Sequence, residues 1–457
     1  MELKPDFIRS LHTLLPAEAE ALAGTLAHGQ AVTSVRVNPA KGAHVPAQTK
    51  PVPWCPEGFY CPERPQFTFD PELHAGRYYV QDASSMFITH AVRQLTNRPV
   101  RYLDLCAAPG GKATAAMTAL PDGSVVVANE VVPTRARVLA DNIARWGSPS
   151  AIVTASRAEV WGAMDGLFDI VAADVPCSGE GMMRKDPEAV AQWTPALVAQ
   201  CAERQREILH GVWPALKAGG LLIYSSCTFN RAENEDIIEH LISQYGAEPV
   251  AIDTDPAWGI AAGINTDAPC YRFFPHQLDG EGLFMAIVRK PGDSPTPATT
   301  APRRRPAPVP AEAANAVKNR LIGDYIASTR DGVIEAHRPE VVAIMEVIQE
   351  RVKVLRAGVA VAESKGKRLA PHHELALSTA LRTEAFPEVA VDYPTALAYL
   401  RGEAITIDAP RGMALITFNN ARLGWANNLG NRANNLYPRP LRILSSHNPD
   451  NPPSVIR

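Results

Sequence analysis

The stretch that decides the fold is Tyr102-Leu-Asp-Leu-Cys-Ala-Ala-Pro-Gly-Gly-Lys112. Residues 100–105 are short and mostly apolar, as is typical of a strand in a parallel sheet. Residues 112–120 predict a helix, which places the glycines at 110 and 111 in the turn between strand and helix. Glycine has no Cβ, so this turn can approach a ligand closely, and the helix that follows points free N–H groups at it. On its own, the pattern fits either a ligand-binding turn or an ordinary corner of an α/β fold.

The next predicted strand, residues 124–131, favours a ligand-binding turn. It carries Glu130 near its end, about 20 residues after the glycines, where an acid can hold both hydroxyls of a ribose. The glycines do not form a Gly-x-Gly-x-x-Gly pattern, which argues against a nicotinamide cofactor. We therefore expect an adenosine-containing cofactor.

The region around these two strands alternates strands and helices, which predicts an α/β fold with a doubly wound, mostly parallel sheet. An antiparallel hairpin at 271–274 and 283–289 is expected to close one edge. The remaining predicted strands lie near 151–156, 168–175 and 219–226, and the remaining helices near 133–146, 195–216 and 231–245.

The flanking regions differ in composition from this core. Residues 5–28 predict two short helices, and residues 32–38 predict a strand. Residues 39–76 are rich in Pro, Gly and aromatic residues, so they predict an irregular segment. For the aromatic residues at 54–60, packing against the next domain is favoured over stacking on bases. Further along, we expect a Pro-rich linker at 291–312 that includes Arg303–Arg305, a helix near 339–354, and a turn-rich, RNA-gripping module after 394.

The composition excludes several classes of protein. The 457 residues carry a net charge of −3, which argues against a uniformly basic nucleic-acid coat but allows a local basic groove. Seven irregularly spaced cysteines imply no disulfide framework, and the spacing of Cys55 and Cys61 does not favour a metal site. The N-terminus has no apolar signal core and no 18-residue apolar run occurs, so a cytoplasmic location without membrane contact is expected.

Two cysteines follow predicted strands at the edge where open α/β sheets bind ligands. Asp174 ends one strand and is followed by Cys177 in a tight turn, and Cys227 ends the strand at 219–226. A lone buried cysteine is usually inert, but two beside a cofactor turn suggest covalent catalysis. A thiolate that adds to carbon 6 of a pyrimidine makes carbon 5 nucleophilic enough to accept a methyl group. A second group must then remove the carbon-5 proton, and Asp174 could hold the exocyclic amine of the base.

These motifs resemble a known family. Residues 106–112, Asp174-Val-Pro-Cys-Ser-Gly179 and Ser226-Cys-Thr228 are similar to the signature motifs of the Sun-type RNA cytosine-5 methyltransferases. Arg184-Lys-Asp-Pro187 and the end of the chain resemble the bacterial RsmF-like branch, which modifies 16S ribosomal RNA. The resemblance implies a Rossmann-like S-adenosylmethionine methyltransferase core with RNA-binding modules on both sides. The implied parts are an N-terminal α+β RNA-recognition segment at 1–95, the core at 96–290, the linker at 291–312, a mixed connecting region at 313–393 and a C-terminal PUA-like β-rich module at 394–457.

The resemblance also implies roles for individual residues. Cys227 would attack carbon 6 and Cys177 would assist release of the product, although the residues alone leave the reverse open, since DNA cytosine methyltransferases use a Pro-Cys thiol as nucleophile. The family pattern is altered at three positions, which here carry Val175, Ser226 and Arg157. Because the family often has an Asp near the adenine where our alignment places Arg157, we leave Arg157 out of the site. The residues expected to bind S-adenosyl-L-methionine are Cys106, Ala107, Ala108, Pro109, Gly110, Gly111, Lys112, Glu130 and Asp174.

The sequence therefore predicts an S-adenosyl-L-methionine-dependent RNA cytosine-5 methyltransferase. The expected substrate is 16S ribosomal RNA, either free or in the assembled 30S subunit, and the expected state is a monomer without metal. Two alternatives stay open at this point: the same reaction on transfer RNA, and a non-catalytic ribosome-assembly factor that binds RNA. A small-molecule methyltransferase is disfavoured because it would need neither the flanking modules nor the paired thiols.

Overall fold

The computed structural model describes residues 2–293, 309–365, 368–453 and 455–456. Most of the predicted linker at 291–312, including its run of arginines, lies outside the described residues. No helix within the described residues is long and apolar enough to cross a membrane.

The N-terminal part of the chain consists of two helices, a small antiparallel sheet that includes a short helix before its last strand, and a helix that leads into the core. Its elements are α1 (Pro5–Leu14), α2 (Ala19–His28), β1 (Thr33–Val37), β2 (Lys50–Val52), β3 (Cys55–Cys61), α3 (Pro71–His74), β4 (Tyr78–Val80) and α4 (Phe87–Leu95). The strands lie in the order β2-β3-β1-β4. The two helices and the first strand confirm the sequence prediction. The prediction of an irregular segment at 39–76 was wrong, because β3 pairs with β1 through residues 58–61 and with β2 on its other side, despite its Pro and Gly.

Trp54, at the start of this aromatic stretch, packs against the core. Its side chain is 2% exposed, its ring centroid lies 5.2 Å from that of Phe273, and its Nε1 donates to the Ala83 carbonyl. For Trp54, packing against the next domain is confirmed over base stacking, because a buried ring cannot stack on an RNA base.

The central part of the chain alternates strands and helices as predicted. Its elements are β5 (Arg101–Asp104), α5 (Gly111–Ala119), β6 (Val125–Asn129), α6 (Pro133–Trp146), β7 (Ala151–Thr154), α7 (Ala158–Gly162), β8 (Phe168–Asp174), α8 (Pro187–Gln192), α9 (Pro195–Val212), β9 (Leu216–Ser226), α10 (Glu235–Tyr245), β10 (Glu248–Pro249), β11 (Cys270–Phe273) and β12 (Leu283–Arg289). The parallel strands lie in the order β9-β8-β5-β6-β7, and β12 is antiparallel to β9. The hairpin of β11 and β12 confirms the predicted closing hairpin.

Both faces of this sheet are buried, which explains why its strands read as continuous apolar runs. Leu103 and Val171 belong to the core on one face, and Tyr102 and Ile170 to the core on the other. Because β5, β6, β8 and β9 run parallel, their carboxyl ends lie at one common edge of the sheet, and the loops that follow them start there.

The region after the linker contributes a strand to the central sheet. Its elements are α11 (Ala311–Arg320), β13 (Ile326–Arg330), β14 (Val333–His337), α12 (Pro339–Ile348), β15 (Val354–Ala357), β16 (Val359–Lys365), β17 (Arg368–Pro371) and α13 (His373–Leu377). β15 pairs antiparallel with β7, so the described residues form a nine-stranded sheet. The helix predicted near 339–354 ends earlier, at Ile348, because the chain then turns to form β15. β13, β14, β16 and β17 form a separate antiparallel sheet.

The C-terminal part of the chain forms a small sheet with one helix packed on it. Its elements are β18 (Glu388–Ala390), α14 (Tyr393–Arg401), β19 (Gly412–Phe418), β20 (Ala421–Asn428) and β21 (Ala433–Asn435). The strands lie in the order β18-β19-β20-β21, and Tyr399 and Leu400 of α14 are buried against them. The sheet is the β-rich element that the sequence predicts here. It begins at 388, before the predicted module boundary at 394.

Candidate active site

The turn between β5 and α5 is held in one conformation by its neighbours. The Ala107 N–H donates to the Asn129 carbonyl at 2.8 Å, and the Asn129 side-chain amide donates to the Leu105 carbonyl at 2.9 Å. Gly110 precedes the helix with a φ of +115°, and a Cβ there would lie 3.3 Å from the Leu139 side chain. The turn therefore requires glycine at 110.

A buried carboxyl group lies at the end of β5, directly before this turn. Asp104 is 1% exposed, and its carboxyl group accepts a hydrogen bond from the Cys106 backbone N–H. Burial, with the nearby Asp174 carboxylate adding to it, raises the pKa of Asp104 to about 7, although Lys112 and the Cys106 hydrogen bond oppose the shift.

Lys112 crosses from the first turn of α5 to the end of β8. Its Nζ lies 2.8 Å from Oδ2 of Asp174, and the Ser225 hydroxyl donates to Oδ1 of the same carboxylate at 2.8 Å. Burial opposes the charged ammonium, but the charge and hydrogen bond of Asp174, with smaller contributions from Cys227 and Asp104, together raise the pKa of Lys112. The positive charge of Lys112 also acts on Cys227. The turn, the end of β8 and the end of β9 therefore form one electrostatic unit.

The two predicted thiols meet at this edge. The Sγ atoms of Cys177 and Cys227 lie 3.2 Å apart, and both side chains are half-buried. The hydrogen-bond contact with Cys227, together with burial, raises the pKa of Cys177 well above its ordinary value. The two thiols are therefore in direct contact at the edge where the parallel strands end.

Glu130 lies at the end of β6, one strand further along the same edge. Its side chain is 3% exposed, Oε1 accepts from the Val132 N–H at 2.9 Å, and Oε2 faces the Arg135 guanidinium at 3.5 Å. Arg157, which we leave out of the site, carries a side chain that is 78% exposed, with its Nε 3.6 Å from Glu159. Cys106 lies in the turn beside the buried acids, and burial raises the pKa of its thiol.

The structure thus brings together residues 106–112, Asp174, Cys177 and Cys227, with Glu130 at the neighbouring strand end. Sequence reasoning missed Asp104, which an acid at the end of an apolar strand could have indicated. It also missed Glu180 and Glu233, which are buried behind the thiols and receive hydrogen bonds across the two cysteine turns. These two acids gave no usable signal, because their partners lie about fifty positions away in the sequence.

Comparison with known proteins identifies the family. Three family models match the chain: 16S rRNA methyltransferase RsmB/F at residues 94–289, the N-terminal domain of 16S rRNA methyltransferase RsmF at 3–83, and the methyltransferase RsmF PUA domain at 386–443. The ribosomal RNA small subunit methyltransferase F of Klebsiella pneumoniae (strain 342) is 34% identical over 415 residues, covering 86% of this chain and 85% of the relative. The protein of the same name from Salmonella agona (strain SL483) is 33% identical over 411 residues, covering 86% and 84%.

Solved structures agree at the level of the fold. The crystal structure of NSun6 from Pyrococcus horikoshii with SFG superposes with a TM-score of 0.53 at 19% identity, covering 64% of this chain and 99% of that one. A methyltransferase homologue from Pyrococcus horikoshii gives a TM-score of 0.50 at 24% identity, covering 63% and 100%. The curated relatives, at 33–34% identity over 86% of this chain, establish that the chain belongs to the ribosomal RNA small subunit methyltransferase F family.

Proposed function

We propose that this chain methylates carbon 5 of a cytosine in 16S ribosomal RNA, with Cys227 as the covalent nucleophile and Cys177 as the group that assists release. As a member of its family, the chain is an S-adenosyl-L-methionine-dependent RNA methyltransferase. The observation that carries the proposed mechanism is the 3.2 Å contact between the two thiols, at the ends of adjacent strands and beside the cofactor turn.

The residues around the turn fit S-adenosyl-L-methionine. Oδ2 of Asp104 is buried and has no hydrogen-bond partner among the described residues, which suits the ammonium group of an amino acid. The Gly110 turn lets the backbone approach the ligand, and the Glu130 carboxylate would accept the ribose hydroxyls. When bound, S-adenosyl-L-methionine supplies an electrophilic methyl group for carbon 5.

Cys227 performs the first step of the proposed reaction. Its sulfur forms a bond to carbon 6 of a flipped-out cytosine, and the electron pair of the 5,6 double bond moves to carbon 5. Attack requires the thiolate form of Cys227. Asp174, fixed by Lys112 and Ser225, would hold the exocyclic amine of the base.

Cys177 is suited to the last step. The carbon-5 proton must leave, the 5,6 double bond must re-form, and the bond between sulfur and carbon 6 must break. The raised pKa of Cys177 suits it to pass its proton to the departing Cys227 sulfur, and the Cys177 thiolate that remains would accept the carbon-5 proton. The assignment of attack to Cys227 and of release to Cys177 follows the family motifs that contain the two cysteines.

The RNA would be held by the flanking modules. The RsmF-type N-terminal and PUA domain matches lie on either side of the core in sequence. All the groups that the mechanism needs come from one chain, which supports action as a monomer on small-subunit RNA or on the 30S particle.

The test is methyl transfer from labelled S-adenosyl-L-methionine to 16S RNA, 30S particles and transfer RNA, each taken from cells that lack this enzyme. After digestion to nucleosides, we expect the label in 5-methylcytidine from small-subunit RNA. Label found only in transfer RNA would show that transfer RNA, and not 16S ribosomal RNA, is the substrate. Label in any other nucleoside would refute the carbon-5 chemistry.

A further inference from the structure

We propose that Glu180 and Glu233 are positioning residues that hold the two catalytic thiols opposite each other. We call this pair the carboxylate clamp. Each acid belongs to one cysteine turn and accepts hydrogen bonds from the other turn. The inference deepens the proposed function, on which its catalytic consequence rests.

Glu233 follows Cys227 and reaches back to the Cys177 turn. Its Oε1 accepts from the Ser178 backbone N–H at 2.8 Å, and its Oε2 accepts from the Ser178 hydroxyl. The Gln205 amide donates to Oε1 at 3.0 Å and also to the Pro176 carbonyl at 3.0 Å. The residues on both sides of Cys177 are therefore tied, directly or through Gln205, to one buried carboxylate.

Glu180 makes the reciprocal connection. It follows Cys177, and its Oε2 accepts from the backbone N–H groups of Phe229 and Asn230 at 2.7 and 3.0 Å. Its Oε1 accepts from the Trp193 indole N–H at 2.9 Å. The backbone just after Cys227 is thus fixed by an acid from the Cys177 turn.

Asn230 links the two acids. Its side-chain nitrogen lies 2.7 Å from Oε2 of Glu233 and 3.0 Å from Oε1 of Glu180. A direct backbone bond runs beside them, from the Gly181 N–H to the Cys227 carbonyl at 2.9 Å. Several hydrogen bonds therefore connect the two cysteine turns close to the sulfur atoms.

The chemistry of this cluster requires carboxylates. Each partner described above donates to the acids, and an ionised carboxylate is the side chain that only accepts. A glutamine at 180 or 233 would place an N–H₂ group against another donor. Both acids are almost completely buried, so water cannot easily replace the lost bonds. The same negative charge at Glu233 also helps to keep Cys177 protonated.

The clamp is tested with Glu233→Gln and Glu180→Gln in the full chain, with Glu239→Gln as the matched control. Glu239 lies on the exposed side of α10 and pairs with Arg231. The first readout is the rate at which diamide converts the Cys177 and Cys227 thiols to a disulfide, with diamide accepting the two hydrogen atoms. We expect both clamp variants to slow this reaction by roughly tenfold, since small displacements of reacting groups have large effects on rate.

The second readout is the ratio of trapped protein–RNA adduct to released 5-methylcytidine. A displaced Cys177 should slow release more than attack, so the ratio should rise in both clamp variants and stay at the wild-type value in Glu239→Gln. A purely structural role would lower adduct and product together, without changing their ratio.

The outcomes separate the clamp from the proposed function. Wild-type disulfide rates in both folded clamp variants, checked by thermal unfolding, would overturn the clamp. Slower disulfide formation in the clamp variants supports the clamp, whatever the adduct assay gives. If no variant, including Cys177→Ala, forms an adduct, the proposed mechanism is overturned and the clamp is not. Should one variant fail to fold, the other carries the test.

Discussion

Replacing Asp104 with Asn should make the cofactor-free protein more stable and, at the same time, weaken cofactor binding. The carboxyl group is buried at the end of β5, and its pKa is raised from 3.8 to about 7. The neutral form is therefore favoured in the folded protein, and ionisation at higher pH destabilises it. Asparagine keeps the acceptor for the Cys106 N–H and never becomes charged.

The size of the effect follows from the linkage between protonation and folding. A carboxyl group whose pKa rises from about 4 to about 7 on folding loses about 4 kcal/mol of stability at pH 8, and about 1.4 kcal/mol at pH 5, relative to a group that stays neutral. The stabilising protonated form is fully present below pH 4 and is lost as the pH rises through 7. Asp104→Asn should therefore exceed the wild type by up to about 4 kcal/mol at pH 8, and the difference should vanish near pH 4.

The assay is urea unfolding of both proteins without cofactor at pH 8, 5 and 4, with calorimetric titration of S-adenosyl-L-methionine at pH 8. Asp122→Asn, a change at an exposed carboxyl, is the control and should alter neither quantity. Affinity should fall by about tenfold or more in Asp104→Asn, because a hydrogen bond to a charged group is lost. A variant less stable than the wild type at pH 8, or one that binds the cofactor normally, would refute this reasoning.

Three further predictions concern the ion pairs and the thiol edge. Arg272→Met should lower the free energy of unfolding by about 3–5 kcal/mol, because it leaves the Glu235 charge buried without its partner. Urea unfolding should show that the double variant Arg272→Met/Glu235→Leu recovers part of that loss. A loss below about 1 kcal/mol in Arg272→Met would contradict this expectation. Lys112→Gln should slow methyl transfer by roughly tenfold, because it removes the ammonium group that lies 2.8 Å from Asp174 and fixes this carboxylate. An unchanged rate of methyl transfer would show that this ion pair does not position Asp174. Gly181→Ala should reduce the rate of methyl transfer, because a Cβ there would lie 2.9 Å from the Glu281 carbonyl and 3.0 Å from the Cys227 carbonyl and would displace the Cys177 turn from both. Unchanged transfer in the folded variant would show that the site tolerates this displacement.

The parts of the fold that the sequence predicts well are those with a local signal. β8 and α6 lie where the sequence places them, because short apolar runs and amphipathic helical spacing are properties of the segment itself. The cysteines at 177 and 227 could likewise be placed at one edge, since parallel strands share their carboxyl ends.

The parts that the sequence does not predict depend on distant partners. β3 contains a Pro and a Gly, and it becomes a strand through its pairing with β1. β15 is a short Val-Leu-Arg-Ala segment whose strand conformation comes from the free edge of β7. Glu180 and Glu233 resemble ordinary surface acids in the sequence, and their role as a clamp depends on the folding of two loops against each other.

The central claim is that Cys227 attacks the base and Cys177 releases it. The most direct measurement is a denaturing gel of the wild type, Cys227→Ala, Cys177→Ala and the control Cys201→Ala after incubation with small-subunit RNA and labelled S-adenosyl-L-methionine. We predict a persistent protein–RNA adduct in Cys177→Ala, neither adduct nor methyl transfer in Cys227→Ala, and wild-type behaviour in Cys201→Ala. A persistent adduct in Cys227→Ala, with none in Cys177→Ala, would contradict the account and make Cys177 the nucleophile.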